Sequence, residues 1–381
     1  MNFELTEDQI LLQEMVRNFA RKEIAPTIGY FEEKHLFPKE IIQKLAELGL
    51  LGMTVPSEYG GTKTDYLSLI LALEELGRVS ATVCLIVSVH SSLFTNCLVK
   101  FGSPQLKERY LSRATRGEVL GAFSMTEPGA GSDAINLKTK AVKSGSEYIL
   151  NGTKGWVTTG SEADALIIIA RTGGEPGSQK LSAFVVEKSF PGFKVAKIEE
   201  KMGLHSSLTA EIVLEDCRVP AENLLGEEGR GAFIALQGLD SSRISIAAQS
   251  VGLSQEALEL GVSYAKQREA FGKKIAEFQA IQFMIADIAT LVDAARLLTY
   301  RAAVLYDRGL PFAKEAAMAK LFSSEAANKV AYLSLQIHGG YGYSKEYAIE
   351  RLYRDARVLS IYEGTSEIQR LVIARKLLKD Y

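Results

Sequence analysis

Three stretches of this chain carry residues whose types and spacing could do chemistry. The first is Thr126-Glu127-Pro128-Gly129-Ala130-Gly131-Ser132-Asp133. A proline and two glycines there give an irregular loop whose backbone N–H groups can approach a ligand closely. A plain turn between two structural zones would use the same residues. The second is Lys154-Gly155-Trp156-Val157-Thr158-Thr159-Gly160, which holds the only tryptophan. A lone Trp in a strand more often fills a core than faces a ligand. The third is Ile361-Tyr362-Glu363-Gly364-Thr365-Ser366-Glu367. Gly364 permits a tight turn, and Thr365 or Ser366 can cap a following helix. Glu363 then stands just before a helix N-terminus, where the dipole favours even a solvated acid.

Several familiar chemistries are excluded. No GxGxxG follows a strand and no GxxxxGK[ST] is present; GGYGY at 339–343 has the wrong glycine spacing. His35, His90, His205 and His338 are scattered, and Cys84, Cys97 and Cys217 form no CxxC pair, so no metal site is expected. The sparse thiols suit a reducing compartment. With 44 basic and 46 acidic residues the net charge is −2, which argues against nucleic acid as a partner.

The elements that must position these stretches fall into three zones. Up to about residue 120 the pattern is helical, opening with a Thr6–Gln9 capping box and a Leu5–Ile10 staple. Pro38 can open a second helix at its first position. From 121 to 230 short β-rich runs take over, at 147–151, 156–159, 165–171, 181–187, 193–198 and 209–215, which suits a small, mostly antiparallel sheet or barrel. From 231 the pattern is helical again, with 231–267 as one helix of roughly 55 Å, then 278–307, 312–337 and 367–379. Long helices on short loops favour a four-helix bundle. The expected class is α+β, with domains at 1–120, 121–230 and 231–381. No apolar run approaches the roughly 20 residues of a membrane span. The acidic start MNFELTEDQILLQEM is unlike a leader peptide. A soluble protein of a bacterial cytoplasm is expected, or else a mature mitochondrial matrix protein.

The segments FSMTEPGAGSD (123–133), KGWVTTG (154–160), LDSSR (239–243), KQREAFGKKIAEFQ (266–279), QIHGGYGY (336–343), RLYRDAR (351–357) and IYEGTSEIQR (361–370) resemble the acyl-CoA dehydrogenase family. They do so in family order over the whole chain, and the bacterial short-chain, butyryl-CoA-type members are the most similar by eye. The resemblance implies bound FAD. Phe123, Met125 and Thr126 would line the flavin, with Trp156 beside the ring and Thr158 near N5. Arg268, Phe271, Gln279, Gln336, Gly339 and Gly340 would reach a neighbouring subunit's FAD, and Thr365 and Glu367 would also approach the cofactor. Ser132, Asp240, Arg243 and Gly364 match positions that contact the coenzyme A thioester, Ser132 serving cofactor and substrate alike. A homotetramer built as a dimer of dimers is implied, as is an electron-transferring flavoprotein as electron acceptor.

Glu363 matches the family's catalytic base. The resemblance implies that it takes the α-proton of an acyl-CoA while the β-hydrogen leaves as hydride to the flavin, giving the trans-2-enoyl-CoA. Hydrogen bonds from the flavin ribityl and from the base's own backbone N–H polarise the thioester carbonyl in the family. Some relatives place the base just before the arginine that matches Arg243; Ser242 stands there in this chain and cannot serve. His205-Ser206 departs from a common arginine-glycine pair, and His205 is expected to be structural. Branched, cyclic or medium-chain acyl groups remain alternatives to a short straight one. So do an oxidase that passes its electrons to O2 and a non-catalytic flavoprotein scaffold.

Overall fold

The computed structural model describes residues 4–175 and 180–380. Met1, on which the leaderless start was read, lies outside the described residues. Helix α1 (Glu7–Phe19) opens on Thr6, whose side chain accepts from Gln9 N while the Gln9 side chain returns to Thr6 N. A π-helical turn leads into α2 (Ala25–Lys34), which was not expected as a separate helix. Pro38 precedes α3 (Lys39–Glu47) as its cap residue rather than opening its first turn. Asp65 caps α4 (Tyr66–Val79) and Ser80 caps α5 (Ala81–Ser88); α6 (Asn96–Phe101) and α7 (Pro104–Thr115) follow.

From α5 to α6 the chain is one continuous helical rod, Ala81–Phe101, whose most apolar 18-residue stretch has mean hydropathy 1.7. It is long and apolar enough to cross a membrane, which corrects the expectation that no such run exists. Its apolar character has another use: 94% of its most apolar 18-residue stretch is buried inside the fold, and a helix apolar all round is what a core requires.

The middle of the chain forms one sheet. Its strands are β1 (Gly121–Ser124), β2 (Lys140–Ser144), β3 (Glu147–Val157), β4 (Ala165–Arg171), β5 (Leu181–Glu187), β6 (Phe193–Ile198), β7 (Ala210–Pro220) and β8 (Leu224–Leu225). The order is β6-β7-β3-β2-β4-β5-β8, with β1 added beside β4. Pairing is antiparallel except where β1 and β2 run parallel to β4. The two runs expected at 147–151 and 156–159 are one strand, β3, interrupted by register shifts against β7. The second shift lies between Lys154 and Val157, and a bulge there re-aims side chains.

Helix α8 (Gly231–Gln267) lies between α4 of the first zone and α10 (Ala313–His338), with α9 (Gln279–Asp307), α11 (Ala348–Ala356) and α12 (Ser366–Asp380) completing the helical end. The α4–α8 crossing is very close. A Cβ on Gly252 would lie 2.2 Å from the Glu74 carbonyl oxygen, so only glycine fits. Polar ties lock the same crossing: Tyr66 Oη donates to the Ser241 carbonyl at 2.9 Å, and Arg78 meets Glu259 at 2.6 Å.

The loop that carries His205 is clamped between the first and third zones. Leu204 N donates to Asp355 Oδ1 at 2.8 Å and His205 N donates to Glu32 Oε2 at 2.7 Å. Burial, with Glu32 adding like charge, pushes the Asp355 carboxyl up to about 7. The His205 ring stacks on His35 at 4.3 Å, and its Nε2 meets the Lys201 carbonyl at 2.9 Å. These contacts are a structural role.

Candidate active site

The end of β1 and the bulge of β3 are joined by a buried ion pair. Lys154 is wholly buried, and its Nζ donates to Glu127 Oε1 at 2.8 Å and to the Met125 carbonyl at 3.2 Å. Glu127 also accepts from Lys138 N at 2.6 Å and Thr139 N at 3.0 Å. Burial pushes the Glu127 carboxyl up, but Lys154 and these donors outweigh it and hold the group below its ordinary range. Gly155 N completes the junction by donating to the Thr126 carbonyl at 3.0 Å. The 126–133 loop is therefore no plain turn, although Glu127 and Ala130 do close a tight one inside it.

Trp156 does not fill the core. It has φ +56° and is 60% exposed, so the bulge turns its indole outward. The hydroxyls of Ser124, the last residue of β1, and Thr159, two residues past β3, are buried without a hydrogen-bond partner among the described residues. Buried polar atoms are normally paired, so such orphans mark a place built for something else.

The turn before α12 is more constrained still. Glu363 has φ +54° and Gly364 φ +91°. A left-handed non-glycine residue costs about 1–3 kcal/mol and persists only where its surroundings enforce it. Three side chains do so. Gln369 Nε2 donates to the carbonyls of Glu363 (3.1 Å) and Gly364 (2.9 Å), Lys320 Nζ donates to Gly364 O at 2.7 Å, and Arg243 Nε reaches Glu363 O at 3.5 Å. Arg243 is itself held by Asp240 at 2.6 Å. Thr365, as expected, caps α12 by accepting from Ile368 N at 3.4 Å.

The Glu363 carboxylate is not solvated. Its Oε2 is buried and unpartnered among the described residues. Burial pushes the carboxyl up to about 7 against the opposing charges of Arg243 and Lys320. The nearby Ser242 hydroxyl also favours the ionised form, though it stays beyond hydrogen-bond distance. A glutamate poised near neutrality, with one free oxygen and an arginine beside it, is arranged to remove a proton.

The remaining singled-out residues do not join this group. Arg268 lies 25 residues after Arg243, at the far end of α8 and roughly 37 Å away at 1.5 Å per residue. There a cavity of ≈ 550 Å3 is lined by Arg268, Gly339, Gly340, Tyr264 and Tyr341. Gln279 and Gln336 are exposed at the same end, and Phe271 is 95% exposed at φ +54°. Thr365 and Glu367 line a smaller cavity of ≈ 380 Å3 with Arg357 and Asn328. Ser132 is exposed on the 126–133 loop. Lys320, Gln369 and Gln249 were not singled out in the sequence. The one local signal was for Lys320, a lysine on a helix face otherwise made of Ala and Ser.

Residues 6–118, 122–217 and 229–378 match the N-terminal, middle and C-terminal domains of acyl-CoA dehydrogenases. The chain belongs to the acyl-CoA dehydrogenase family. It is 50% identical to an acyl-CoA dehydrogenase of Bacillus subtilis over 98% of this chain and 99% of that one. It is 47% identical to the mitochondrial short-chain specific acyl-CoA dehydrogenase of mouse, covering 99% and 92%. Among solved structures, butyryl-CoA dehydrogenase of Megasphaera elsdenii superposes with TM-score 0.97 at 43% identity over 99% and 100% of the two chains. A chain from a structure of the electron transferring flavoprotein of Acidaminococcus fermentans superposes at 0.98 with 46% identity over 100% of both. This enzyme is thus an FAD-dependent oxidoreductase of coenzyme A thioesters.

Proposed function

We propose that this enzyme converts a short-chain acyl-CoA to its trans-2-enoyl-CoA with Glu363 as the base, and passes the electrons to an electron-transferring flavoprotein. The observation that carries this reading is the free, buried Glu363 oxygen beside Arg243. The orphaned Ser124 and Thr159 hydroxyls and the outward-turned Trp156 fit strand ends that receive a planar polar ring. Phe123, Met125, Thr126, Trp156 and Thr158 would hold the flavin there. When bound, FAD supplies acceptance of the β-hydrogen as hydride. The protein's own share is proton removal at the α-carbon, with Arg243 and Asp240 orienting the thioester.

Arg268, Phe271, Gln279, Gln336, Gly339 and Gly340 would meet the FAD of a second subunit. Their distance from Glu363 and the near-complete exposure of Phe271 support a homotetramer that shares its sites. Relatives occur in bacteria and in mitochondria. Three free, buried thiols suit either a bacterial cytoplasm or a mitochondrial matrix.

A short acyl group is supported by a polar barrier next to the base. The Tyr362 hydroxyl donates to Gln249 Oε1, and wholly buried Gln249 donates to the Ala81 carbonyl at 2.6 Å. A longer chain would have to break this pair. The test is anaerobic bleaching of the flavin band with straight-chain acyl-CoAs of increasing length. Butyryl-CoA should reduce the flavin at least about tenfold faster than octanoyl-CoA, and Gln249→Ala should narrow or invert that ratio. A yellow protein that bleaches only with branched, cyclic or longer thioesters would replace the short-chain assignment. No bleaching with any thioester would overturn the activity.

A further inference from the structure

Lys320 sits on the buried face of α10, among Ala316, Ala317, Ser323, Ser324 and Ala327, all of them buried. Its side chain is wholly buried, yet no carboxylate lies within ion-pair distance of it among the described residues. Among the described residues, its side chain makes one hydrogen bond, to the Gly364 carbonyl. Burying a lysine without an ion-pair partner is costly, and an alanine or methionine would pack on this face without that cost. The charged groups around it are Glu363 of the turn, Arg243 of α8, Glu325 of α10 and Glu367 of α12. Glu325 is exposed and pairs with Arg370, and Glu367 is exposed to solvent. The buried anion it faces is Glu363.

We propose that Lys320 is a positioning residue for the base: its ammonium pins the left-handed Glu363–Gly364 turn, and its charge keeps the Glu363 carboxylate ionised. This rests on Glu363 being the base. Two anchors hold the turn without adding charge to it, the Gln369 amide and the α12 cap. Only Arg243 and Lys320 bring positive charge to Glu363 from buried positions. Burial lowers Lys320 to about 8, with Glu363 the leading group that opposes this. Base and lysine therefore change charge over neighbouring pH ranges. The ionised base is best supported where Lys320 still holds its proton.

Both variants remove the charge, and they differ only in the turn contact. Lys320→Gln keeps a donor for the Gly364 carbonyl and removes the charge, whereas Lys320→Met removes both. The measurement is the rate of anaerobic flavin reduction by butyryl-CoA as a function of pH, at saturating and at low substrate. In wild type the rate rises as Glu363 loses its proton. In both variants the inflection should move alkaline by about one unit, so that on the acid limb the rate falls about tenfold with little change in substrate affinity. Superposed profiles for wild type and Lys320→Gln would overturn the charge role. A Lys320→Gln protein that cannot take up FAD would overturn the proposal too, by making the residue purely structural. Glu363→Gln run in the same buffers keeps the two readings apart. If it still reduces flavin, Glu363 is not the base; if it is inactive while the Lys320→Gln profile is unmoved, only the Lys320 proposal falls.

Discussion

Glu363→Gln is expected to give a folded, yellow protein that reduces its flavin with butyryl-CoA about a hundred- to ten-thousand-fold more slowly than wild type. The amide keeps the size of the side chain, and the carbonyl contacts from Gln369, Lys320 and Arg243 do not depend on it. What is lost is the group that can take the proton. Stability supplies an independent readout. Burial raises the Glu363 carboxyl from 4.5 to about 7, so the folded state binds the extra proton between those values. A raised carboxyl contributes its full stability below the unfolded value, and that stability is lost as pH rises through the folded value. Glutamine cannot ionise. The variant should therefore melt above wild type at about pH 8 and alongside it at about pH 4. Wild-type turnover, or a melting difference of the opposite sign at alkaline pH, would remove Glu363 from this role.

Lys154→Met is expected to have the largest effect on the protein itself. Removing the lysine leaves the Glu127 carboxylate buried with only two backbone donors. Breaking one side of a buried pair costs about 3–5 kcal/mol. The same change releases the Met125 carbonyl, which ties β1 to β3, so the edge that carries Trp156 should loosen and FAD should dissociate on gel filtration. A matched Lys154→Met/Glu127→Leu double variant should recover much of the lost melting temperature, because an apolar pair can replace a buried ion pair at little cost. If the single variant keeps both its melting temperature and its flavin, the pair does not position this edge.

Elements with strong local periodicity were legible from the residues alone. The capping box at Thr6–Gln9, the bounds of α8 and those of β4, β5 and β6 all follow from local pattern, and the structure places them at those residues. Weakly patterned pieces were not. β2 is five residues with two lysines and one buried side chain, so it reads as a solvated turn until β3 pairs with it. α11 is amphipathic, with Ile349, Leu352 and Ala356 buried on one face, but at nine residues it was too short to be read as a helix of the bundle. Ala81–Phe101 was underestimated because its apolar run contains Ser, Thr, His and Asn, most of whose polar groups the fold satisfies, with His90 Nε2 and Ser91 Oγ excepted among the described residues. The Ser92 and Thr95 hydroxyls, for example, donate to carbonyls four residues back.

Sequence by itself determined the order of zones, the family, and the residues proposed to carry the chemistry: Glu363, Arg243, Trp156 and the loop at 126–133. Those are properties of residue type and spacing, and they survive without coordinates. The tertiary structure decided their state. The outward turn of Trp156 comes from a register shift against β7. The raised pKa of Glu363 comes from burial, which outweighs the opposing Lys320, Arg243 and Ser242, brought in from 43 to 121 positions away in the chain. The left-handed backbone at Glu363 is imposed by Gln369, Lys320 and Arg243, brought together from three different helices. Burial, backbone strain and charge proximity are sums over neighbours in space, and only the packed chain defines those neighbours.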